Sequence, residues 1–156
     1  MKIQKLLTQV DTNYSDYFVW FIGTASMFGS LYFSEVMKLQ PCMLCWWQRI
    51  FMYPIAFIMS VAILRKDPKV MYYVLPLSIS GMIIAFYHTL LQWGVIRETI
   101  VDCSVNSAVS CTAVQISWFG FMTIPFMSFM GFLAINTLFG LRIYLMRQAN
   151  KKQDKN

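Results

Sequence analysis

The chain has 156 residues, of which 58% are hydrophobic and 13% charged. An ordinary soluble domain carries about a quarter charged residues, so this chain has too little polar surface to wrap a water-soluble globule. Its net charge of +6 lies in the flanks of apolar runs, which removes the case for nucleic-acid binding and leaves membrane lipid as the expected surroundings.

The first run, Tyr17 to Ser34, carries no charge and approaches the length of a bilayer crossing, about 20 helical residues. It predicts a helix over 17–36. The run is too long for a signal h-region, and Glu35-Val36-Met37-Lys38 offers no small-residue cleavage site. Ala25 and Gly29 form a small-xxx-small pair suited to close helix contact, and Glu35 with Lys38 reads as an interfacial ion pair. Leu39 to Leu64 contains only Arg49 as a charge and predicts a second span over 42–64. Val70 to Ile96 has no charge apart from the titratable His88, giving a third span over 70–93. Cys103 to Leu141 is charge-free and turns greasy near Ile116, giving a fourth span over 116–141 after an outer loop at 94–115. Residues 147–156 form a polar tail, and Lys151 to Asn156 is expected to be disordered. Pro54, Pro76 and Pro125 fall inside the spans, where membrane helices tolerate them if neighbours satisfy the freed carbonyls.

The expected fold is therefore all-α, a polytopic four-helix bundle forming one domain over 1–156. Four crossings put both termini on the side of the Arg65-Lys66-Asp67-Pro68-Lys69 link. That side also carries Lys2, Lys5, Arg142, Arg147, Lys151, Lys152 and Lys155, so all but Lys38, Arg49 and Arg97 of the basic residues lie there. The excess of positive charge assigns both termini to the cytoplasm.

All four cysteines, Cys42, Cys45, Cys103 and Cys111, then fall at or beyond the opposite membrane face, where disulfides persist. Four cysteines allow three pairings; adjacency favours Cys42–Cys45 and Cys103–Cys111. Pro41 suits the first turn of a helix, and a helix start stabilises a thiolate. Cys42, Cys45 and Arg49 share a helix face, with Arg49 about 10 Å below Cys42. The second pair, in CSVNSAVSC, closes a ring worth about 2–3 kcal/mol in the chain-entropy model, a modest staple and an exposed target for a partner's thiolate. Two structural disulfides are the bland reading. A zinc site of four thiolates is disfavoured by its place at the membrane face, and no metal is expected.

Thiols oxidised in turn need an acceptor for two electrons and two protons. No haem, dinucleotide or iron–sulfur motif is present, whereas a bilayer supplies lipid-soluble quinone. His88 lies about 9 Å below the outer end of its span, the depth of Arg49. An intramembrane ionisable residue is a functional hypothesis by default; the bland reading is a histidine bonded to a neighbouring helix, and the matching depth favours a ligand role. Trp46, Trp47, Trp93 and Trp118 fit an outer aromatic belt.

Gln40-Pro41-Cys42-Met43-Leu44-Cys45, followed by Gln48-Arg49, resembles the signature of the DsbB family of membrane disulfide oxidoreductases. The four spans, the loop pair Cys103/Cys111 and Thr123-Ile124-Pro125 agree with it over residues 17–141. The short second loop, with seven residues between its cysteines, is similar to the BdbC-like branch. The resemblance implies an enzyme of a bacterial plasma membrane that reoxidises a thioredoxin-fold (DsbA- or BdbD-like) partner outside the cytoplasm and passes the electrons to ubiquinone or menaquinone. It assigns Cys45 to face the quinone as the thiolate, stabilised by Arg49 and the helix dipole. Cys42 exchanges with the loop pair, the partner attacks Cys103, and Cys111 resolves onto Cys42. Arg49 would hold a quinone oxygen, His88 would lie near the ring, and Ile124 and Met127 would wall it. The short loop departs from larger members, which bears on how far Cys103 and Cys111 separate and which one the partner attacks.

Two other classes compete. A vitamin-K-epoxide-reductase-like enzyme also combines four helices with a C-x-x-C and loop cysteines, but there the C-x-x-C follows the loop pair, the reverse of the order here. A non-enzymatic membrane protein with structural disulfides would show no quinone-dependent thiol oxidation.

Overall fold

In the computed structural model, described over residues 2–96, 111, 117–118 and 122–153, the charge-free runs become helices. In chain order these are α1 (Lys2–Leu31), α2 (Met43–Arg65), α3 (Met71–Gln92) and α4 (Ile124–Gln153), with a π-helical turn at Tyr32–Val36 extending α1. A two-residue antiparallel pair, β1 (Ser117–Trp118) with β2 (Met122–Thr123), precedes α4. Among the described residues, three helices are long and apolar enough to cross a membrane: Met43–Arg65, Met71–Gln92 and the Ile124–Gln148 portion of α4. α1 is not among them, because Asp16, Thr24, Ser26, Ser30 and the tyrosines dilute its apolar content.

Helix α1 packs against α2 and α4, and α3 against the same two. Val19, Met52, Ile55, Met59, Val74, Ala85, Phe132, Ile135 and Phe139 meet in the shared interior. Outward faces stay apolar, as with Phe57 at 64% and Leu64 at 83% exposure. A water-facing helix would present polar groups there, so the pattern fits lipid as the solvent. Polar groups inside find partners across helices: Trp20 Nε1 donates to Ser60 Oγ (2.8 Å), and Ser78 Oγ donates to the Phe132 carbonyl (3.3 Å). Gly81 permits the closest approach, since a methyl group there would lie 2.3–2.9 Å from three atoms of the Phe132 ring. At the end remote from the cysteines, buried Arg142 pairs with Asp16 and donates to the Pro68 carbonyl (3.2 Å), tying α4 to α1 and to the α2–α3 link.

Several expectations shift. The fourth helix starts at Ile124 rather than near 116, and Pro125 stands in its first turn, where its missing N–H leaves no hydrogen bond unmade. The tail expected at 147–156 continues as helix to Gln153, in keeping with its run of good helix formers such as Arg147, Gln148 and Lys152. The Ala25/Gly29 pair is not a helix contact: Ala25 is exposed, and a Cβ at Gly29 would meet nothing within 4 Å. Gly23 instead lies against α2, where an added Cβ would stand 3.5 Å from the Ala56 backbone nitrogen. Among the described residues Glu35 and Lys38 form no ion pair, and Lys38 turns the chain in the left-handed region (φ 54°). Of the outer loop expected at 94–115, only 94–96 and Cys111 are described.

Candidate active site

Pro41 stands just before helix α2, and Cys42 is its N-cap, with extended backbone angles (φ −71°, ψ 170°) and its sulfur accepting from the Cys45 amide at 3.4 Å. A side chain that accepts a free amide of the first turn is what an N-cap supplies, so the helix begins one residue later than the sequence spacing predicts. Both cysteines carry free thiols, and their Sγ atoms lie 3.0 Å apart, sharing one hydrogen bond.

His88, on α3, is fully buried and closes the pocket. Its Nε2 lies 3.2 Å from the Cys111 carbonyl oxygen and 3.7 Å from Cys42 Sγ; its Nδ1 lies 3.0 Å from Gln48 Nε2. A carbonyl oxygen can only accept, so Nε2 carries a hydrogen. The neutral ring then accepts at Nδ1 from the Gln48 amide. The same Nε2–H faces the Cys42 sulfur. Cys42, which caps the span from outside, therefore has its thiol held below the ordinary range. The hydrogen bond from Cys45 contributes most, burial opposes it, and His88 adds to it.

Cys111 is buried and disulfide-bonded. It packs with Cys42, Leu44 and Leu91 in one cluster, flanked by Cys45, Ile84 and Tyr87. The Tyr87 hydroxyl is buried without a hydrogen-bond partner among the described residues. The ligand atoms of Cys42, Cys45 and His88 all lie within 4.8 Å of one another.

The fold thus brings together Cys42, Cys45, His88 and Cys111. Cys103 lies outside the described residues. Arg49 is turned away: its Nη2 donates to Ser34 Oγ and to the Ser30 carbonyl (3.4 Å) at the end of α1, with the guanidinium 5.6 Å from the Trp46 ring centre. In this thiol state the sulfur bearing the stabilising contacts is Cys42, and Arg49 joins two helices. Ile124 and Met127, in the first turn of α4, are half-buried and exposed, outside the thiol cluster. At the end of α1, Phe28, Leu31, Tyr32, Phe33, Val36 and Met37, together with Gly29 and Glu35, line an open groove of about 940 Å³. Sequence reading missed Gln48 and Tyr87 as site residues. A buried amide one turn after Cys45 in an apolar helix was the available signal for Gln48; nothing in the sequence pointed to the Cys111 carbonyl.

The family model for "Disulfide bond formation protein DsbB" matches residues 16–141. "Probable disulfide formation protein C 2" of Bacillus cereus is 47% identical over 116 residues, covering 74% of this chain and 81% of the relative. "Disulfide bond formation protein C" of Bacillus subtilis is 44% identical over 119 residues, covering 76% and 85%. "SPbeta prophage-derived disulfide bond formation protein B" of Bacillus subtilis is 38% identical over 135 residues, covering 86% and 85%. No solved structure matches at a significant level. With the family model spanning most of the chain and these relatives matched over most of their length, the protein belongs to the DsbB family of disulfide bond formation proteins.

Proposed function

We propose that this protein is a thiol:disulfide oxidoreductase that reoxidises a thioredoxin-fold partner outside the cytoplasm and delivers the electrons to membrane quinone. It would cross the bilayer four times, with both termini cytoplasmic. The observation that carries the reading is the buried cluster in which a reduced Cys42/Cys45 pair stands against His88 and the disulfide-bonded Cys111. With Cys42 and Cys45 free, Cys103 is the cysteine remaining in the sequence to pair with Cys111.

The exchange balances in two steps. A thiolate of the reduced partner attacks the Cys103–Cys111 bond, forms a mixed disulfide, and is resolved by the partner's second thiol; the partner leaves oxidised and the loop is left as a dithiol. A loop thiolate then attacks the Cys42–Cys45 disulfide, and the second loop thiol resolves the mixed bond. The loop disulfide is restored, and Cys42/Cys45 hold the electron pair and two protons. A dithiol at Cys42/Cys45 beside an oxidised Cys111 corresponds to the state after this step and before electron release.

Quinone, when bound, takes up two electrons and two protons. Two residues suit such a group: the Tyr87 hydroxyl, buried beside the thiol cluster with no partner among the described residues, is a spare donor, and Arg49 is a fixed cation on the helix that Cys42 caps. Arg49 and Tyr87 would hold the polar oxygens, and Ile124 and Met127 would wall the ring. His88, with both ring nitrogens engaged in the thiol state, orients Cys42 and supplies its N–H to the departing sulfur. The helix start and that N–H stabilise the thiolate as Cys42 is released.

Trapping tests the partner step. Two variants of the thioredoxin-fold partner, each keeping one of its two active cysteines, are mixed in the reduced state with the chain whose loop disulfide is intact. The one keeping the attacking thiol should stay linked to the loop because no second thiol resolves the bond, and mapping the adduct identifies the attacked sulfur. If neither variant forms a mixed disulfide, the proposal fails.

A further inference from the structure

The reduced pair and His88 have a second chemistry open to them. Three donor atoms from two helices converge: Cys42 Sγ lies 3.0 Å from Cys45 Sγ and 3.7 Å from His88 Nε2, and all three lie within 4.8 Å of one another. Metal–sulfur bonds of about 2.3 Å and metal–nitrogen bonds of about 2.0–2.1 Å in a tetrahedral centre require S–S edges of about 3.8 Å and S–N edges of about 3.5 Å. To meet that geometry the sulfurs need to part by about 0.8 Å, and the Cys45–His88 edge, which lies within 4.8 Å, needs to come to about 3.5 Å. The Cys111 carbonyl oxygen, 3.2 Å from Nε2, gives up that nitrogen's hydrogen when a cation binds there.

We infer that the reduced Cys42, Cys45 and His88 chelate a thiophilic divalent cation of the zinc type. Two thiolates and one imidazole are a donor set that zinc takes at sites with an open fourth position. Two negative thiolates and a dication sum to zero, so the loaded site avoids the cost of burying an isolated charge. Binding releases the hydrogen that the pair still carries when Cys42 is the thiolate, and both hydrogens below its titration; no electron moves. His88 must bind through Nε2, which shifts its hydrogen to Nδ1. A half-turn of the Gln48 amide then brings its oxygen to accept from Nδ1–H, the supporting contact usual for a metal-bound histidine. The site differs from a four-cysteine zinc centre, which the disulfide at Cys111 rules out for this state.

Chelation and the Cys42–Cys45 disulfide exclude each other, so the cation selects the reduced protein. At a free cation level a hundred times Kd, the dithiol is favoured over the disulfide about a hundredfold, equivalent to a potential change of about 59 mV at 29.6 mV per tenfold. If the proposed function holds, such a cation also stops reoxidation of the pair; that consequence rests on the functional reading, whereas binding does not.

The test uses full-length protein in detergent, reduced and desalted without oxygen, with neither quinone nor partner present. Cd2+ is titrated against the ultraviolet thiolate-to-cadmium absorption, and Zn2+ is measured by competition with a chromophoric chelator. A Cys103→Ala/Cys111→Ala chain leaves Cys42 and Cys45 as its thiols. We expect one ion per chain in the reduced form and none after oxidation of Cys42 and Cys45. Affinity falls at least a hundredfold in Cys42→Ser or Cys45→Ser, and about tenfold to a hundredfold in His88→Gln and in Gln48→Leu. The oxidised-against-reduced comparison needs no substitution in the site, so a variant that misfolds does not decide the result. Failure of the reduced chain to bind, equal binding by the oxidised chain, or undiminished binding by folded His88→Gln each overturns the inference. None of these outcomes bears on whether quinone is the electron acceptor.

Discussion

The assignment of negative charge to Cys42 can be tested by titration. Its sulfur accepts from the Cys45 amide (3.4 Å), shares a hydrogen bond with the Cys45 thiol (3.0 Å) and faces His88 Nε2 (3.7 Å). A hydrogen bond to a charged group contributes about 1.5–3 kcal/mol, and 1.36 kcal/mol equals about one pH unit of titration. Replacing Cys45 by alanine should therefore move the Cys42 titration up by about 1–2 pH units, cutting its thiolate fraction tenfold to a hundredfold at fixed pH below the midpoint. His88→Gln, at the longer distance, should move it less. The sign follows from the lowered thiol: the thiolate persists as pH falls below the ordinary thiol value near 8.5 and is lost only at the lower folded value. The assay is thiolate absorbance against pH, with the loop cysteines replaced by alanine so that no exchange intervenes. Ionisation of Cys45 before Cys42, or a larger upward shift from Arg49→Gln than from Cys45→Ala, would overturn the assignment.

Gln48→Leu removes the donor to His88 Nδ1 and leaves a buried acceptor unpaired, a cost of about 1–3 kcal/mol. Turnover with partner and quinone should fall at least tenfold while the helix content by circular dichroism stays unchanged. Gly81→Ala forces a methyl into the Phe132 ring and should cost about 1–3 kcal/mol in detergent unfolding, with Phe132→Leu in the same chain restoring part of the loss. Arg142→Leu leaves half-buried Asp16 without its cation and should cost about 1.5–3 kcal/mol. The added change Asp16→Leu should recover much of that, read as the midpoint of thermal unfolding.

Much of the helical layout was legible because charge-free runs mark where backbone and side chains can be satisfied without water. The C-x-x-C at a helix start and the depth of His88 were legible for the same reason: both interrupt apolar stretches. What the sequence could not supply was rotation about the helix axis. Gln48 and Arg49 lie three and four residues beyond Cys45, so both project toward its face by spacing alone. Packing sends Gln48 to His88 and Arg49 to Ser34. Reading Cys42 as a helical residue also misplaced it, since an N-cap has extended angles and a different side-chain direction. The Ala25/Gly29 pattern failed similarly, because a small-residue stripe does not say which neighbour it faces. The Cys111 carbonyl is a backbone group and leaves no residue signal at all.

The central claim is that electrons leave the Cys42/Cys45 dithiol for quinone. Protein reduced at this pair, reconstituted in oxygen-free lipid vesicles and mixed with quinone, tests it in a single turnover. Electron transfer to quinone should consume one quinone for each pair of thiols lost, with none consumed by Cys42→Ser or Cys45→Ser. Full quinone-dependent turnover by both variants contradicts it.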